Sequence, residues 1–215
     1  MKRRPGIGAC ALLTCLLAGC GGVGAESFLD AQAMAQLREV LSKEQPRLPD
    51  GFTIRPEQAW QMPFGQADEN CRAVLEPPGG KAPGQALTAQ AAVSYHGDGL
   101  GEQAGVGLAR YAAGEAEDHL DELAEALRKC HAVRSSSGTD LRPHELPIDE
   151  AVREAADDAV GARFSGRLNG YPYEMDLVLA RVGDTLVSVV HTGMNDVDAG
   201  RTRKVVEAAL SMVSA

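Results

Sequence analysis

The most regular hydrophobic pattern in the chain is a two-residue alternation near its C-terminus. Val160, Ala162, Phe164, Gly166 and Leu168 alternate with polar or small neighbours, the period of a strand with one buried face. Asn169-Gly170 follows, the strongest short hairpin signal because both positions accept the positive φ of a tight turn. Tyr171 to Val182 alternates again, Gly183-Asp184 makes a second tight turn, and Thr185 to Thr192 completes a three-strand meander. Two-residue turns set register. Counting outward from Asn169-Gly170 pairs Val160 with Leu179, Ala162 with Leu177, Phe164 with Met175, and Leu168 with Tyr171. Every pair is apolar and all share one face, and Tyr173 falls opposite Gly166 to cover its bare backbone. Around the second turn, Leu177 meets Val190 and extends that face. On the reverse face Arg163 falls opposite Asp176, and Asp176 opposite His191. The reverse face also carries Val178, Ala180, Val187 and Val189, too apolar for a wholly solvated surface, so something covers it or binds there.

Helical periods flank this sheet. Leu29, Ala33, Leu37, Val40 and Leu41 form one apolar stripe after a capping box at Ser27 and Asp30, and Pro46 and Pro49 end it. Phe52 to Arg55 reads as a short extended piece. From 56 to 87 the pattern dissolves into a long loop containing Trp60, Cys71 and Pro77-Pro78-Gly79-Gly80. A lone large aromatic in a Trp-poor chain reads as a core plug. Strands are expected at Ala91–Tyr95 and Gly105–Ala112. The turn between them contains a G-x-G-x-x-A string at Gly99, Gly101 and Ala104. Gly105 and Gly107 disfavour the helix that a dinucleotide site requires there, so it reads as a hairpin tip. Ala116 to Cys130 is a strong amphipathic helix. His119 lies on its rim and reads as a solvated neighbour of acidic residues rather than a metal ligand. Residues 134 to 158 read as a loop with one helical turn near Glu150 to Ala155. A final helix spans about Ala199 to Val213, with Thr202, Val206, Ala209, Leu210 and Val213 inward and Asp196 and Asp198 at its start. The expected fold is α+β, a largely antiparallel sheet with a C-terminal three-strand meander, packed on one face by about three helices.

The first residues change the picture from fold to address. Lys2, Arg3 and Arg4 precede an uncharged run from about Ile7 to Leu17, well short of the ~20 apolar residues that span a bilayer. Ala18 and Gly19 are the small residues a signal peptidase needs before Cys20. The segment resembles the lipobox of bacterial lipoproteins, in which this thiol is acylated, palmitate being a usual chain, and becomes the new N-terminus. Acyl chains contribute ~0.8 kcal/mol per buried methylene, so two or three of them anchor stably. The organisation expected is a signal peptide at 1–19, a flexible tether at 20–27 rich in glycine, and one domain at 28–215 held to the extracytoplasmic side of the cell membrane.

Five cysteines are present. Cys10 and Cys15 leave with the signal and Cys20 carries lipid, so Cys71 and Cys130 remain. Thiols outside the cytoplasm tend to be oxidised. We expect a Cys71–Cys130 disulfide closing a loop of about 60 residues, worth ~4 kcal/mol in the chain-entropy model; two buried free thiols are the alternative. No spacing of Cys or His suggests a metal site, and no cofactor is expected.

Loss of Lys2, Arg3 and Arg4 with the signal takes the formal charge from −9 to −12. Such an acidic domain argues against nucleic acid and against a polybasic grip on lipid. Arg163, Asp176 and His191 form the candidate polar patch. Asp176 is expected to raise the affinity of His191 for its proton and to hold Arg163 in place. The row reads either as the floor of a small polar pocket or a pH-sensitive patch, or as a cross-strand ion network worth ~0.2–1 kcal/mol per pair. No catalytic residue is assigned. Acyl transfer needs a nucleophile with a positioned base, and the chain has no G-x-S-x-G.

Leu48-Pro49-Asp50-Gly51-Phe52, Tyr111 leading into the Ala116–Cys130 helix, Val182-Gly183-Asp184-Thr185-Leu186-Val187 and the closing helix carry a family resemblance. The chain resembles actinobacterial lipid-anchored extracytoplasmic proteins and the extracellular sensor domain of PknH-type Ser/Thr kinases. That resemblance implies an antiparallel sheet packed by helices around a cleft and a sensing or binding role. The kinase sensor domains carry two disulfides and this chain can form one. The expected function is a non-catalytic binding module for a small ligand or an envelope partner. An envelope hydrolase and a purely structural envelope protein are the alternatives.

Overall fold

The structure is a computed structural model, and residues 32, 35–37, 39, 48–55, 58–65 and 67–213 are described below. The signal peptide, Cys20, the tether and the Ser27–Asp30 capping box lie outside the described residues. Those described at 32, 35–37 and 39 are helical, and Leu37 is buried.

Eight strands form one sheet: β1 (Thr53–Arg55), β2 (Leu87–His96), β3 (Gln103–Tyr111), β4 (Val133–Ser135), β5 (Thr139–Glu145), β6 (Asp158–Leu168), β7 (Tyr171–Val182) and β8 (Thr185–Gly193). Their order is β1-β2-β3-β8-β7-β6-β5-β4, and every neighbouring pair is antiparallel. The chain leaves β3, crosses to the far edge through a helix, and returns strand by strand until β8 lies against β3. Beyond the helical residues at 32, 35–37 and 39, the helices are α1 (Glu69–Leu75), α2 (Glu115–Lys129), α3 (Glu150–Ala155) and α4 (Ala199–Val213), with a 3-10 turn at Pro77–Gly79. No helix among the described residues is long and apolar enough to cross a membrane.

The expected register holds pair for pair. Val160 meets Leu179, Ala162 Leu177, Phe164 Met175, Gly166 Tyr173, and Leu168 Tyr171. Leu177 meets Val190 and Asp176 meets His191. Asn169 and Gly170 take φ of 50° and 89°, as a type I′ turn requires. Gly166 is needed twice over: its φ is 147°, and a Cβ there would collide with the Asp140 carbonyl of β5.

The α+β class and the antiparallel sheet stand as expected, but the helices lie on both faces rather than one. α1 and α2 cover Phe164, Met175, Leu177, Leu186 and Val190. α4 and α3 cover Val178, Ala180, Val187 and Val189. The apolar reverse face of the meander is therefore sealed by the chain's own C-terminal helix. Trp60 is a core residue, 4% exposed.

Two stretches expected as loops contain regular structure. Within 56–87, Asp68 caps α1 by accepting from the Cys71 amide at 2.9 Å, and Cys71, Val74 and Leu75 are buried along it. Within 134–158, β4 and β5 form an edge hairpin in which Pro143 sits opposite Phe164. His119 is also corrected: it is buried, lies against Tyr111 with ring centroids 4.4 Å apart, and its Nε2 lies 2.8 Å from the Gln85 carbonyl.

Candidate functional site: a polar row and an open groove

Cys71 and Cys130 are joined in a disulfide, with Cα atoms 4.7 Å apart and sequence separation 59. The bond ties α1 to the C-terminal cap of α2. Both sulfur-bearing residues are buried in the core between these helices and the sheet.

On the opposite face the meander aligns Arg163, Asp176 and His191 across β6, β7 and β8. Arg163 grips Asp176 through two hydrogen bonds, Nε to Oδ1 at 2.6 Å and Nη2 to Oδ2 at 2.8 Å. Asp176 and His191 are neighbours in register, but Thr202 of α4 stands between their side chains. Its hydroxyl donates to Asp176 Oδ2 at 2.8 Å and lies 2.8 Å from His191 Nδ1. His191 Nε2 lies 3.0 Å from Glu102 Oε1, and Arg201 Nε donates to the same oxygen at 2.8 Å. Arg201 also stacks over Phe52, 4.9 Å from its ring centre. Alternate-residue pleating brings the first three residues together. Glu102 arrives from the β2–β3 turn, and Thr202 and Arg201 from the first turn of α4, which Asp198 starts by accepting from the Arg201 amide at 3.0 Å.

The electrostatics of this row differ from the sequence expectation. Asp176 was expected to raise the proton affinity of His191 directly. Burial instead pushes the imidazole below its ordinary range; Glu102 and, more weakly, Asp176 act against that. Burial pushes the Glu102 carboxyl up, but the Gly99 amide, His191 and Arg201 together outweigh it and hold the group below its ordinary value. Asp176 is 0% and His191 1% exposed, so the row docks α4 onto the sheet and presents neither group to a ligand. Sequence reasoning missed Glu102, Thr202 and Arg201. Glu102 lies in a turn, and the other two on a helix whose docking no strand register can place.

Two small hollows touch the row, about 310 Å³ beside Asp176 and Thr202 and about 210 Å³ beside Glu102, His191 and Arg201. A larger groove, about 670 Å³, lies elsewhere, between the C-terminal half of α2, the start of β6 and the segment leading from β5 to α3. Leu127, Leu146, Ile148 and Val160 line it, each half-buried. Among the described residues no group of three or more His, Cys, Asp and Glu could hold a metal ion.

No family model and no curated protein matches this chain. Solved structures that resemble it include two from mycobacteria. The extracellular domain of PknH from Mycobacterium tuberculosis matches with a TM-score of 0.53 at 11% identity, over 88% of this chain and 97% of that one. A putative uncharacterized protein from Mycobacterium smegmatis matches with a TM-score of 0.45 at 14% identity, over 83% and 97%. At these identities the PknH comparison establishes a shared fold.

Proposed function

We propose that this chain is a lipid-anchored extracytoplasmic protein whose folded part, residues 28–215, binds a small ligand without converting it. Residues 1–19 are removed, Cys20 is acylated, and 20–27 tether the domain close to the membrane. The basic start, the short apolar run and Cys20 support the anchor. The Cys71–Cys130 bond supports an oxidising compartment. The fold shared with an extracellular domain agrees with that address.

The observation that carries the binding role is the open groove of about 670 Å³, within the ~300–1,000 Å³ usual for small-molecule sites. Docking of a large partner on the sheet has less support, because α4 already occupies the apolar reverse face. A catalytic role for the polar row has less support too, since its buried His191 and Asp176 reach no substrate.

Native mass spectrometry of the protein extracted from its membranes tests both parts. The expected chain begins at acylated Cys20, lacks two hydrogens at the disulfide, and retains a small non-covalent mass. Ala124→Trp, which fills the groove from a half-buried position on α2, should lose that mass. An unprocessed, unacylated N-terminus would refute the anchor. Retention of the same mass by Ala124→Trp would refute the groove.

A further inference from the structure

We propose that the groove takes a single-chain amphiphile with an anionic head group, a long-chain carboxylate or its phosphate counterpart. This rests on the binding role just proposed and names the ligand's chemistry.

The floor of the groove is hydrocarbon. Leu127 of α2, Val160 of β6, and Leu146 and Ile148 of the connecting segment are each only half-buried. Half-buried aliphatic side chains lining one cavity leave apolar surface in water, which an apolar ligand body would cover. Pro143 and Pro147 run along the same wall. Neither has a backbone N–H to donate, so much of the polar recognition must come from side chains.

Those side chains are mainly cationic or basic. Arg128, Arg153, His131 and His144 line the groove against a single acidic residue, Glu145. In a chain with a formal charge of −9 this local reversal stands out. Arg128 is exposed and shares its guanidinium with Glu125. Arg153 makes no side-chain hydrogen bond or ion pair among the described residues, and neither does His131 or His144. Arg153 lies on α3 and Arg128 on α2, and both line the groove, so a head group held by either would leave its chain on the aliphatic floor. The acidic field of the rest of the molecule repels a polyanion from a distance, which favours a ligand with one anionic group.

The experiment uses the exported full chain carrying Cys20→Ala, which has no acyl anchor to compete. Parinaric acid, a fluorescent long-chain carboxylate, serves as probe. Palmitate is the free-acid competitor, lysophosphatidylglycerol in neutral vesicles the membrane-derived one, and hexadecanol the uncharged control. We expect saturable binding, displaced by palmitate or by the lysolipid according to which source the groove uses. Hexadecanol should compete roughly ten-fold more weakly, as the loss of one charge-assisted contact implies. Arg128→Glu/Arg153→Glu should weaken the probe by a similar factor with the melting temperature unchanged. Equal competition by hexadecanol, or an unaffected double variant, would overturn the anionic assignment. Absence of saturable binding would overturn it as well. In that event a retained mass lost in Ala124→Trp keeps the binding role, and absence of any retained mass removes both.

Discussion

The two faces of the sheet solve the same problem with different chemistry. On one, α1 and α2 close over Phe164, Met175, Leu177 and Leu186, and a disulfide fixes the two helices to each other. On the other, α4 closes over Val178, Val187 and Val189, but its first turn is fixed by a buried charged row through Thr202 and Arg201. The first face is hydrocarbon with a covalent staple that constrains the unfolded chain. The second is hydrocarbon with a polar register pin whose worth depends on every partner being present. The disulfide face should therefore respond to redox state, and the α4 face to mild acid.

Removing the staple is the largest expected effect. Cys71→Ala/Cys130→Ala should lower unfolding stability by about 4 kcal/mol, read by urea denaturation. A loss within experimental error would show that the two faces do not differ in this way. Next comes the pin. Asp176→Asn leaves Arg163 facing a neutral amide at a position that is 0% exposed, and should cost about 3 kcal/mol. Hydrogen exchange should then rise first in α4 and not in α2; uniform loosening would contradict the pin.

Acid separates the faces further. Burial holds His191 below its ordinary 6.5, so the unfolded chain binds the extra proton first. Its contribution is complete above about pH 6.5 and is lost as pH falls from there toward the depressed folded value, at no more than ~1.4 kcal/mol per unit. Glu102, held below its ordinary 4.5, contributes above that value and loses its contribution as pH falls through the folded one. Stability measured between pH 7 and pH 5 should therefore decline, and His191→Gln should flatten the decline. An unchanged slope in that variant would count against the assignment. The smallest effect has the opposite sign. Tyr95 is fully buried on the α4 face, its hydroxyl has no hydrogen-bond partner among the described residues, and its pKa is raised to about 12 by burial. Tyr95→Phe should leave stability unchanged or raise it by about 1 kcal/mol, and a clear loss would reveal a partner for that hydroxyl.

The meander was legible because Asn169-Gly170 and Gly183-Asp184 convert sequence distance directly into spatial register. Arg163, Asp176 and His191 could therefore be aligned across strands. What joins them was not legible, since Thr202 reaches the row from a helix in a contact no local rule encodes. α1 was hidden among prolines and glycines, although Asp68 followed by Cys71, Val74 and Leu75 at helical spacing was a usable signal. The β4–β5 hairpin was masked by its serine-rich turn and by Pro143, which a position near the sheet edge tolerates. The groove was invisible because β5 and its continuation into α3, which supply much of its lining, lie in a stretch that reads as loop.

The proposed anchor holds this fold at a membrane surface through one sulfur. Fractionation of cells expressing Cys20→Ala tests it most directly. The wild-type chain should stay with the membrane after a high-salt wash, and the variant should appear in the soluble extracytoplasmic fraction. Equal membrane retention of the two would contradict it.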